Sequence, residues 1–216
     1  MTTSYKQLDV GDELVSFFLE STLGSISIPD IVEGKWSIIV TCGGAFDPVT
    51  TTDLGILAKL TEELTSRNIG LLIICGDTVP NLKKWIKDVE EVQTVKFKYP
   101  LISDPDMLVL KTFGCAKENY LDKKTKPTSL GCFIVDLDKR IRYSSRTSLL
   151  VGRNWYEVLR QFDALFMVTV HRVVCPSNWG QGQEVIIQKD ATAEEASLYR
   201  YVEIKPWFRL TPCPEF

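Results

Sequence analysis

Residues 36–55 read WSIIVTCGGAFDPVTTTDLG. Trp36–Cys42 is a short apolar run bounded by Gly34 and by Gly43-Gly44, the pattern of a buried strand. Beyond it, Leu54, Leu57, Leu60 and Leu64 recur at three- and four-residue steps and give one apolar stripe, which predicts a helix over 51–67. Asn68 and Gly70 stop that helix. The loop between a buried strand and the helix it feeds is where an α/β domain places its chemistry. The residues from Cys42 to Asp53 are therefore the first candidates for a site.

Working outward, Leu71–Cys75 reads as a second buried strand, and Asn81–Glu90 as a second helix with Asn81 as its cap. Asp104–Phe113 reads as a short helix ended by Gly114. Residues 131–136 and 140–144 read as a hairpin around Leu137-Asp138-Lys139. Asn154-Trp-Tyr-Glu157 is a capping-box pattern opening a helix to about Val168. Strands alternating with helices, then a hairpin and a helix, predict a mixed α/β sheet flanked by helices. After Val170 the chain turns rich in turn residues, with a strand at Glu184–Gln188, a helix at Ala193–Arg200 and a strand at Tyr201–Ile204. That tail is read as too small for a core of its own.

The chain has 216 residues, 44% hydrophobic and 25% charged, with a formal charge of -3. These values fit one globular domain with a small appendage and give no reason to expect nucleic acid or an anionic membrane as partner. The polar start MTTSYKQLDVGDE is not a signal peptide pattern, and no apolar run reaches membrane-spanning length. The six cysteines have neither CxxC nor zinc spacing, so no metal and no cofactor is expected. Several lie in apolar runs and read as buried thiols, which favours a reducing, cytoplasmic compartment.

With the segments KYPLISDPD, FIVDLDKRIR, VGRNWYEVLR and CPSNWGQGQEVII, the opening stretch resembles the peroxiredoxins of the one-cysteine, peroxiredoxin-6-like type from about Leu8 to Pro212. The resemblance implies a thioredoxin-like fold over residues 8–170. It also implies a C-terminal arm over 171–216 that helps build a homodimer. In that family a Pro-x-x-x-Thr-x-x-Cys motif opens the first helix, and its thiolate attacks the peroxide O–O bond. The helix N-terminus and an arginine lower the pKa of that cysteine. Here Gly43 falls on the proline, Asp47 on the threonine, Thr50 on the cysteine and Leu130 on the motif arginine. The family's second arginine survives as Arg153 and the acid one turn into the helix as Asp53.

An alcohol oxygen has no accessible oxidation step of the kind a thiolate sulfur uses. Asp47 would also disfavour a nearby thiolate. Peroxidase activity at this site is therefore not expected. Thr50 reads most simply as an N-cap paired with Asp53, and Asp47 as a turn residue before Pro48 or an alternative cap. Arg153 is expected to pair with a carboxylate such as Asp47. Cys42, at the same edge of the sheet as Gly43-Gly44, is the one thiol placed to rescue redox chemistry, against the plainer reading of an inert buried cysteine. A phospholipase-type serine site known in some relatives is not matched. Its serine falls on Lys35 and its histidine on Pro29, and only Asp138 remains, with Ser37 displaced. His171 is the single histidine and reads as structural.

Two functions follow. The first is a non-catalytic peroxiredoxin-fold protein acting by binding a protein partner or an active relative. The alternative is a thiol-dependent peroxidase, maintaining redox balance through a non-standard cysteine such as Cys42.

Overall fold

The structure is a computed structural model and describes residues 7–215 apart from 29 and 120. The polar residues 1–6 and Pro29, the position of the absent hydrolase histidine, lie outside the described residues. By contact the chain divides into two compact units, Met1–Arg153 and Asn154–Phe216. The expected boundary near residue 170 runs past the helix that begins the second unit.

The first unit carries β1 (Phe17–Ser21), β2 (Gly24–Ile28), β3 (Ser37–Cys42), α1 (Pro48–Lys59), α2 (Thr61–Ser66), β4 (Gly70–Cys75) and α3 (Val79–Gln93). It continues with β5 (Leu101–Ser103), α4 (Leu108–Thr112), β6 (Ala116–Glu118), β7 (Thr125–Pro127), β8 (Leu130–Val135) and β9 (Ile141–Thr147). Seven strands form one sheet in the order β2-β1-β5-β4-β3-β8-β9. β3 and β4 are parallel neighbours, in register from Ser37↔Gly70 to Cys42↔Cys75. β3 pairs antiparallel with β8, Val40 facing Cys132. The mixed α/β sheet with flanking helices is the architecture the sequence predicts. β3, β8 and nearly all of β4 are buried along their length, which is why they read as unbroken apolar runs. One face of the sheet meets Val109, Leu110, Phe113 and Cys115 through Ile39, Leu72, Ile74 and Phe133.

Several boundaries differ from the sequence reading, each for a local reason. The helix expected over 51–67 starts earlier, at Pro48, because a proline at the first helical position needs no acceptor for an N–H. It breaks at Leu60, where the Thr61 hydroxyl donates to the Ala58 carbonyl and a second short helix begins. α3 starts at Val79 after Thr78, and Asn81 is not its cap: its amide donates to Asp77 at 2.8 Å. α4 is only five residues long, because Asp104 stays outside it and accepts from the Leu108 and Leu110 amides. The β1–β2 hairpin is an addition.

The second unit carries α5 (Trp155–Val170), β10 (Val173–Val174), β11 (Val185–Ile187), α6 (Ala193–Ser197), β12 (Val202–Lys205) and β13 (Phe208–Thr211). Asn154 caps α5 through the Glu157 amide, while the Glu157 carboxylate turns to Arg160 rather than completing a box. A reciprocal capping box instead opens α6, between Thr192 and Glu195. The strands order β10-β11-β13-β12. This unit has a small core: Met167, Val173, Trp179 and Val185 are each at most 1% exposed, joined by Cys175, Tyr199 and Cys213. The residues from 171 on share this core with Ala164 and Met167 of α5. Among the described residues no helix is long and apolar enough to cross a membrane.

Candidate functional site

The junction of β3 and α1 is closed by a network of its own side chains. Phe46 adopts a left-handed backbone (φ 61°) and turns the chain into the helix. Asp47 is the N-cap, and one carboxylate oxygen accepts both the Thr50 amide at 2.6 Å and the Thr50 hydroxyl at 2.7 Å. Thr50 is therefore the third helical residue, not the cap, and its side chain is fully buried. The pairing of Thr50 with Asp53 in a capping box does not form. The Thr51 hydroxyl donates to the Asp47 carbonyl at 2.7 Å and accepts from the Trp85 indole at 2.9 Å. The Thr52 hydroxyl donates to the Val49 carbonyl. All three threonine hydroxyls are thus engaged in the first turn of the helix.

Arg153 meets Asp53, not Asp47. Its guanidinium donates to Asp53 at 2.6 Å, and its backbone amide donates to the other oxygen of the same carboxylate at 3.1 Å. The guanidinium also donates to the carbonyls of Thr41 and Gly131, on adjacent strands β3 and β8. The two side chains are each 4% exposed. Asp47 is occupied at the helix start, and Asp53 lies on the buried face of α1 one turn and a half further on, which decides the choice. The carbonyl acceptors carry no side-chain signal in the sequence.

Gly43 follows the strand directly, and a Cβ there would lie 3.1 Å from Pro127. Leu130 begins β8 and is 2% exposed. Continuing the β3–β8 ladder two residues past Val40↔Cys132 sets Leu130 opposite Cys42. Cys42 is 1% exposed and lies in register with Cys75, which is fully buried and itself in register with Ser103. Burial first, and then the Cys42 thiol, push the Cys75 thiol well above its ordinary range, and the Arg153 charge opposes them only in part. Burial likewise raises Cys132, to about 12. The sequence reading singled out Cys42 alone. The signal for its neighbour was present, since SIIVTC and GLLIIC end in cysteine at the same place of two parallel strands.

The remaining candidates lie apart. Ser37 is fully buried and its hydroxyl donates to the Lys35 carbonyl, while Asp138 is exposed on the β8–β9 turn. His171, in the second unit, has Nε2 3.1 Å from the Glu215 carbonyl. Among the described residues no three His, Cys, Asp or Glu side chains gather as a metal site.

Residues 10–144 match the AhpC/TSA family and residues 164–202 match the C-terminal domain of 1-Cys peroxiredoxin. The chain is 32% identical over 210 residues to the 1-Cys peroxiredoxin of Dictyostelium discoideum, covering 96% of this chain and 86% of that one. It is 34% identical to a 1-Cys peroxiredoxin of Triticum aestivum over 88% of this chain and 87% of the relative. A solved structure of the yeast mitochondrial 1-Cys peroxiredoxin superposes with a TM-score of 0.86 at 30% identity, over 95% of this chain and all of the other. A cysteine-to-serine mutant of Peroxiredoxin 6 of Arenicola marina superposes with a TM-score of 0.87 at 26% identity, over 97% of this chain and all of the other. With its sheet order, its two matched segments and these relatives, the chain belongs to the peroxiredoxin family, in the 1-Cys group.

Proposed function

We propose that this peroxiredoxin-family protein does not turn over peroxides and acts instead by binding, as a homodimer or as the non-catalytic partner of an active relative. The observation that carries this reading is Thr50. It stands where the resemblance places the attacking cysteine, and its hydroxyl is committed to the Asp47 carboxylate at 2.7 Å with no exposed surface. A threonine hydroxyl held as a donor to a carboxylate is neither a thiolate nor a free peroxide ligand. Leu130 replaces the motif arginine with an apolar side chain. Arg153, the arginine that remains, is neutralised by Asp53.

Dimerisation is supported by the second unit. β12 is an edge strand exposed along its whole length, and Val202, Ile204 and Trp207 are 67%, 53% and 64% exposed. Six free thiols, four of them buried, suit a reducing compartment such as the cytoplasm.

The test is consumption of hydrogen peroxide by the purified chain with dithiothreitol as reductant. Rates no higher than those of the uncatalysed mixture are expected, and turnover at the rate of a 1-Cys relative would overturn the reading. The register of Cys42 with Cys75 on neighbouring strands favours a second reading, a slow thiol peroxidase using Cys42. Its signature would be turnover abolished by Cys42→Ser.

A further inference from the structure

We propose that Cys42 and Cys75 form a buried dithiol that a hydroperoxide oxidises to an intrachain disulfide, joining the ends of two neighbouring parallel strands. The two residues are Cα partners in the last rung of the β3–β4 ladder. Neighbouring strands run ~4.7–4.9 Å apart, inside the ~4.4–6.8 Å Cα separation that disulfides span. In-register residues of adjacent strands point to the same face of the sheet, so the two side chains are neighbours on one face. Both side chains are buried, Cys42 at 1% and Cys75 at 0% exposure.

No other cysteine has a comparable partner in the first unit. Cys132 is opposite Val40, one same-face position back from Cys42. Such a diagonal neighbour lies ~7–8 Å away, beyond ordinary disulfide reach. Cys115 packs on the opposite face with Phe113 and Phe133. Cys175 and Cys213 belong to the second unit.

The pair lies at the open end of the strands. Cys42 is followed by Gly43 and Gly44, both partly exposed, and Cys75 by Gly76, whose amide donates to the Cys42 carbonyl at 3.1 Å. A glycine at each exit gives the backbone freedom to bring the two Cβ atoms together. All three glycines are partly exposed, so solvent reaches the chain one residue beyond each cysteine.

The chemistry balances with the hydroperoxide as the two-electron oxidant. One sulfur, as thiolate, attacks the peroxide oxygen; the O–O bond breaks, and the departing alkoxide or hydroxide takes up the thiol proton. The resulting sulfenic acid is attacked by the second sulfur, the S–S bond forms, the S–O bond breaks, and hydroxide leaves with the second thiol proton as water. Two thiols and one hydroperoxide thus give one disulfide, one alcohol or water, and one water. The event is one oxidation per folded chain: the disulfide is buried with its cysteines and dithiothreitol reduces it only after denaturation, so it adds no turnover to the non-catalytic reading of Thr50.

The experiment uses the full chain. Reduced protein is exposed to excess hydrogen peroxide under native conditions, denatured in iodoacetamide and digested with trypsin. The expected result is four alkylated cysteines instead of six, with peptides 36–59 and 68–83 linked and separated again by dithiothreitol. In a Cys75→Ala variant the link is lost and Cys42 carries sulfenic or sulfinic acid. If that variant does not fold, the peptide map of the unmodified chain decides alone. Six alkylated cysteines after oxidation, or a link confined to Cys175 and Cys213, overturns the proposal. Peroxide turnover measured in the same samples separates the two claims. Turnover would overturn the non-catalytic reading, and a missing link would overturn only this one.

Discussion

Arg153 and Asp53 are a hundred residues apart in sequence and 2.6 Å apart in space, both side chains 4% exposed. Their ion pair fastens α1 to the end of the strand-bearing segment, while the same guanidinium spans β3 and β8 through two carbonyls. Removing one partner leaves the other charge buried and uncompensated. Asp53→Leu or Arg153→Met alone should lower unfolding free energy by ~3–5 kcal/mol. The double variant Asp53→Leu/Arg153→Met should cost clearly less than the sum of the two single changes. Urea titration of the four proteins checks this, and additive losses would show that the pair does not act as one unit.

Asp47→Ala removes the acceptor of both Thr50 bonds. The loss should be ~1–2 kcal/mol, the upper range for a helix cap, since a buried hydroxyl is left without its partner as well. Asp47→Asn keeps a capping oxygen and should leave the denaturation midpoint nearly unchanged. Equal losses in the two variants would mean that the carboxylate charge, not the cap geometry, stabilises the turn.

Thr50→Cys alone should not give ordinary peroxidase activity. The new thiol would gain the helix N-terminus, ~0.3–1 kcal/mol and up to ~2 when partly buried, but would face the Asp47 oxygen that now holds Thr50. Leu130→Arg alone should be destabilising, because it buries a cation without a counter-charge. Combined with Thr50→Cys and Asp47→Thr, that cation gains a thiolate partner. Gly43→Pro adds a ring where a Cβ already meets Pro127 at 3.1 Å, so it needs Pro127 to shift. Peroxide consumption by the fourfold variant should far exceed that of Thr50→Cys. Equal rates would mean that the pocket lacks only its nucleophile.

Alkaline pH should destabilise the fold through its buried thiols. Cys132 has its pKa raised from 9.0 to about 12 by burial, and Cys75 shifts in the same direction. A thiol raised in the folded state contributes full stability below its unfolded pKa and loses it as pH climbs through the folded value. The window is therefore about pH 9 to 12. A rise of that size is worth on the order of 4 kcal/mol at ~1.4 per unit. Thermal midpoints recorded from pH 8 to 11 should fall, and fall less in Cys132→Val. A slope unaffected by that substitution would assign the effect to other groups.

The oligomer can be tested at β12. Val202→Lys with Trp207→Glu places charges on the exposed edge strand and its turn. Sedimentation velocity should show the unmodified chain near twice 24.5 kDa and the variant near 24.5 kDa. A monomer in both would remove the dimer from the proposed function.

The central strands were legible because burial on both faces turns β3, β4 and β8 into plain apolar runs between glycines and turns. The β1–β2 hairpin was not, because only Ser21 and Ile28 of its strands are buried and the apolar Phe18 is 83% exposed, which blurs the alternation. At the candidate site, Thr50-x-x-Asp53 imitates a capping box, yet Asp47-Pro48 already fixes the helix start. Pairings across long stretches, such as Arg153 with Asp53, depend on tertiary packing that local pattern does not carry. In the tail, the helix that walls the small core precedes the compositional change, so the core stayed hidden.

The position of β3 in the sheet also has a consequence for synthesis on the ribosome. One of its edges meets β4, which follows soon after, but the other waits for β8 at Leu130–Val135. Leu130 emerges about 55 residues after Cys75, a delay of roughly 3–11 s at ~5–20 residues per second. Through that interval the nascent chain carries SIIVTC and GLLIIC as a two-stranded apolar template with an open edge, the form most prone to pair with another chain. A chaperone that shields this edge until β8 arrives should raise the yield of folded protein more than one acting after release.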